Sequence, residues 1–79
     1  MKTYIFNVRL EWGQGALAVC AMSESAAKQM ILAQDQYDLR GSDLEERNLS
    51  LIGECVGFAS ADGRFLREGE IETLSWYEE

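Results

Sequence analysis

Residues 3–22 read TYIFNVRLEWGQGALAVCAM. Tyr4, Phe6, Val8, Leu10 and Trp12 recur at every second position, with Thr3, Asn7, Arg9 and Glu11 among the residues between them. A period of two sends successive side chains to opposite faces, so this stretch reads as a half-buried strand with one apolar face. Gly13 and Gly15 follow, and glycine reaches the positive φ angles of a tight reversal without steric cost, so a turn is expected here. ALAVCAM then supplies the returning strand, and residues 2–22 are expected to form a hairpin.

After the hairpin the period changes. In SESAAKQMILAQDQY (23–37), Ala26, Met30, Ala33 and Tyr37 follow one another at spacings of four, three and four, with Ala27 and Ile31 widening the stripe. Ser23 suits an N-cap, Glu24 suits the positive end of the helix dipole, and Gly41 suits a stop. One amphipathic helix of about four turns is expected. RGSDLEERN (40–48) is polar, and Ser42 and Glu45 have the spacing of a capping box for a single helical turn. LSLIGECVGFAS (49–60) reads as a strand in which Gly53 and Gly57 mark a bulge or a close backbone approach. Asp62-Gly63 between apolar flanks signals a hairpin. EIETLSWY (70–77) is then a final strand, with a last-turn helix as the competing assignment.

The resulting order, ββαβββ, implies a two-layer α+β fold: an antiparallel sheet of four to five strands with one helix on one face. The 79 residues form a single domain, because a chain of this size buries only about 60% of its unfolded surface and has no material for a second core.

The net charge of −7 is unevenly placed. Residues 1–34 hold two acids and three bases (+1), whereas residues 35–79 hold twelve acids and four bases (−8). Phosphates attract basic patches, so direct binding to nucleic acid or to an anionic membrane is disfavoured, and a basic partner is favoured. No apolar run approaches the roughly 18 residues of a membrane span, and the alternating N-terminus is not a signal peptide, so a cytoplasmic location is expected. In that compartment Cys20 and Cys55, which lack metal-binding spacing, read as small buried hydrophobes.

Catalytic chemistry finds little to work with. The sequence has no histidine, which removes the usual general base at neutral pH, the commonest metal ligand and every Ser-His or Cys-His pair. GQG at 13–15 leads into a strand, not into the helix N-terminus that a phosphate loop needs. Glu45 and Glu46 are adjacent and point apart, so paired-carboxylate catalysis has no support. A non-enzymatic protein without cofactor or metal is expected.

What remains is a surface. In REGEIETLSWYEE (67–79), Glu68, Glu70 and Glu72 would share one face of a strand at about 6.6–6.8 Å spacing. Asp43, Glu45 and Glu46 form a second acidic cluster, and Glu78 and Glu79 close the segment. Trp76 and Tyr77 would provide an apolar anchor, with only one of the two rings able to face the helix layer. The plainer reading is that edge carboxylates only discourage sheet-to-sheet aggregation.

The hairpin YIFNVRLEWGQGALAVCAM, the helix SESAAKQMILAQ and the acidic second half together give a layout that resembles the small phage-encoded anti-CRISPR proteins. Many of these are acidic single-domain α+β chains that block a CRISPR effector by binding it, some by mimicking nucleic acid. The resemblance implies an inhibitor acting in the host-cell cytoplasm on a protein with a basic nucleic-acid-binding surface. The alternative is a small assembly module that forms a homodimer, or docks on a larger complex, through a strand edge and aromatics; the chain itself would be a monomer or a homodimer.

Overall fold

The computed structural model describes residues 2–11, 13–33, 44–57 and 63–78. Strands β1 (Lys2–Arg9) and β2 (Gly13–Ala21) form the expected hairpin, in register from Lys2–Ala21 to Arg9–Gln14. Leu10 N donates to Gly13 O at 2.8 Å beside the reversal. Helix α1 follows over Glu24–Ala33. Ser23 caps it as the sequence implies, its Oγ accepting from Ala26 N at 3.1 Å. A single 3-10 turn over Glu46–Asn48 leads into β3 (Leu49–Cys55), and β4 (Ile71–Glu78) closes the sheet.

The sheet order is β3-β1-β2-β4, with every neighbouring pair antiparallel. This is an α+β architecture, and among the described residues it has four strands in the order ββαββ; the fifth strand of the expected ββαβββ order is not among them. β3 and β4 lie on opposite edges of the sheet, so they do not pair with each other. Gly63 adopts φ +83° at a bend and Phe65 makes only an isolated bridge. The helix-versus-strand question for the final segment resolves as strand. Tyr37, Gly41 and Ser42, assigned to the helix and the next capping box, lie outside the described residues, as do Trp12, Asp62 and Glu79.

The core lies between the sheet and α1. Tyr4, Phe6 and Val8 of β1 meet Leu17, Val19 and Ala21 of β2, with Ala27 and Ile31 of α1 and Leu49 of β3. The helical stripe is thus centred one residue later than the spacing suggests. Ala27 and Ile31 are buried, Ala26 and Met30 flank them, and Ala33 is exposed. A helix laid over a sheet presents only the middle row of its apolar stripe to the core.

Gly13 and Gly15 play a different part from the one their position implies. Both lie in β2, and neither is among the glycines with positive φ. The Trp76 indole lies over them. A Cβ on Gly13 would sit 3.1 Å from Trp76 Cζ2, and one on Gly15 would sit 2.5 Å from Trp76 Cε3 and collide with Ser75 O. The two glycines form a bed that lets the indole lie against the backbone of β2.

Urea unfolding distinguishes these positions. Gly15→Ala should lose about 1–3 kcal/mol, because the β4 backbone and the indole must shift, whereas Gly53→Ala, with nothing within 4 Å of its Cβ, should stay within about 0.5 kcal/mol. Phe6→Ala, at a fully buried position, should cost about 3–5 kcal/mol. Equal tolerance of Gly15→Ala and Gly53→Ala would remove the packing role assigned to the glycine bed.

Candidate functional site

The acidic and aromatic residues singled out by the sequence fall on three separate parts of the molecule. Glu68 and Gly69 form the centre of a turn before β4: Glu70 N donates to Arg67 O at 3.0 Å, and Gly69 has φ +88°. A positive φ at the third position is the signature of a type II turn. The turn sits against β2, where Gly69 N donates to Cys20 O and Cys20 N donates to Glu70 O.

Glu68 therefore stands on a turn and not on a strand, and the regular row Glu68–Glu70–Glu72 does not form. Glu70 is also engaged. Arg64 Nη1 and Nη2 donate to its two carboxylate oxygens at 2.8 and 2.7 Å, and Arg67 N donates to Oε1 at 2.7 Å. This forked geometry is the strongest form of carboxylate recognition. The Arg64 guanidinium, followed by the Arg67 backbone N–H, draws the Glu70 carboxyl down from 4.5 to about 2. Glu70 thus serves as a latch for the crossing segment. Arg64 went unrecognised as its counterion; the readable signal was an opposite charge six residues away across a glycine-containing turn.

Glu72 lies on β4 opposite Ala18 and is half-buried. Trp76 packs against the core, and Tyr77 is 67% exposed. Ile71 and Trp76 differ by an odd number of positions, yet both pack on the core side. The register explains this: Leu17 pairs with Thr73 and Ala16 with Ser75, so Leu74 is an extra residue in a bulge. A bulge shifts the alternation by one, and the shift sends Tyr77 to the outer face, away from α1. Glu78 is the last residue of β4.

The second cluster is paired internally. Glu45 Oε2 lies 2.8 Å from Arg47 Nε, and Lys28 Nζ lies 3.3 Å from Glu24 and 3.4 Å from Glu46. The Lys28 amine is held above its ordinary value, chiefly by Glu24. Asn48 accepts from Glu45 N at 2.8 Å and donates to Arg9 O at 3.0 Å, tying the 3-10 turn to the end of β1. Asp43 lies outside the described residues. The structure does not bring this cluster to β4: it stands on the β3 side of the sheet.

Cys20 is buried, Cys55 is half-buried, and both thiols are free. Each pairs in register with Thr3, from opposite sides. Two strand spacings, about 9.6 Å, separate them, beyond the roughly 7 Å limit for a disulfide. A shallow depression of about 410 Å³ at the hairpin end is lined by Arg9, Leu10, Glu11, Arg47 and Asn48. It holds two guanidinium groups and no nucleophile–base pair. Among the described residues no group of three acidic or cysteine side chains is placed to hold a metal ion, and no helix is long and apolar enough to cross a membrane.

The latch has a pH signature. Its carboxyl is depressed in the folded state, so its stabilisation is complete above about pH 4.5 and is lost as pH falls towards 2. Melting temperature should therefore fall across that window in the wild type and fall less steeply in Glu70→Gln. Parallel curves would mean that the ion pair does not couple to folding.

No known protein family, curated protein or solved structure matches this chain.

Proposed function

We propose that this chain is a non-enzymatic inhibitor that binds a basic, nucleic-acid-handling protein of the CRISPR effector type through the β4 side of its sheet. The observation that carries the reading is Tyr77, 67% exposed at an edge strand in a half of the chain with a net charge of −8. An exposed aromatic on an edge strand is a suitable anchor, and the acidic balance of this half of the chain steers a basic surface towards it.

Steering combined with an anchor is better supported than imitation of a phosphate ladder. Glu70 is neutralised by Arg64, and Glu68 leaves the strand register. The contact is accordingly a protein interface anchored by Tyr77, with the exposed Glu68 on the turn at the other end of β4 as a steering charge.

The test begins with capture of the partner from the natural host lysate by the tagged chain, followed by binding kinetics. Glu68→Gln should slow association at low salt and have little effect at high salt, because rim charges act on the on-rate. Tyr77→Ala should act on dissociation instead, by about 2 kcal/mol or more. Unchanged association of Glu68→Gln at low salt would reduce this carboxylate to a solvated, anti-aggregation charge.

A further inference from the structure

We draw no further inference here: the strongest candidate, the exposed apolar patch of Ile52, Val56 and Phe65 along and just beyond the β3 edge, carries nothing, because the charges beside it, Glu54 and Arg64, are already paired with Lys2 and Glu70 and nothing in the structure shows what covers it.

Discussion

The constraint on which the rest of the structure depends is that the N-terminal hairpin occupies the middle of the sheet. With β1 and β2 paired to each other, each has one remaining edge, and the two later strands fill one edge each. The chain from β3 to β4 must then pass from one side of the sheet to the other. β3 ends where Cys55 faces Thr3, and β4 is entered where the 67–70 turn bonds to Cys20, so both ends of the crossing lie at the same end of the sheet. The Arg64–Glu70 fork and the Arg67 N–H hold the last part of that crossing, and they place Ile71 in register with Val19. The most acidic segment of the sequence thus uses one of its carboxylates to build the molecule.

Two bulges set which side chains face the core. In β3 the extra residue lies at Ile52, between the pairs Ile5–Gly53 and Phe6–Leu51. In β4 it is Leu74. Each changes the parity of the strand partway along, and each leaves an apolar side chain in view of solvent. The β4 bulge has the larger effect, because it assigns Trp76 to structure and Tyr77 to the surface. Without it the rings would exchange faces, and Gly13 and Gly15 would have no indole to receive.

The first strand, its return, the helix start and its Ser23 cap were legible because each rests on a local rule: period two, a polar cap, a change of period. Gly53 and Gly57 suggest a bulge or a close backbone approach, and of the two a bulge lies beside Gly53. The glycines at 13 and 15 were misread because their function is set by a tryptophan more than sixty residues later. The carboxylate row failed for a related reason. Alternation predicts faces only while the strand is regular, and Gly69 bends the chain before Glu70 while Leu74 shifts it afterwards. The centre of the helical stripe moved from Ala26–Met30 to Ala27–Ile31 because the spacing defines a stripe and the sheet beneath selects its middle. Opposite-edge placement of β3 and β4 has no local signature in the sequence.

The central hairpin also bears on how the sheet assembles in time. Its strands pair residues near one another in sequence, from Arg9–Gln14 outward. The flanking strands instead require contacts such as Thr3 with Cys55 and Gly13 with Glu78. Closing such long loops costs chain entropy before any contact repays it, so topologies of this kind fold more slowly than helical chains of similar size. The hairpin with α1 is the natural nucleus, and β4, whose partners in β2 lie farthest from it in sequence, is suited to join last. An edge that joins last holds the fewest of its bonds in the nucleus, so the β4 amides are expected to exchange ahead of those of the central hairpin.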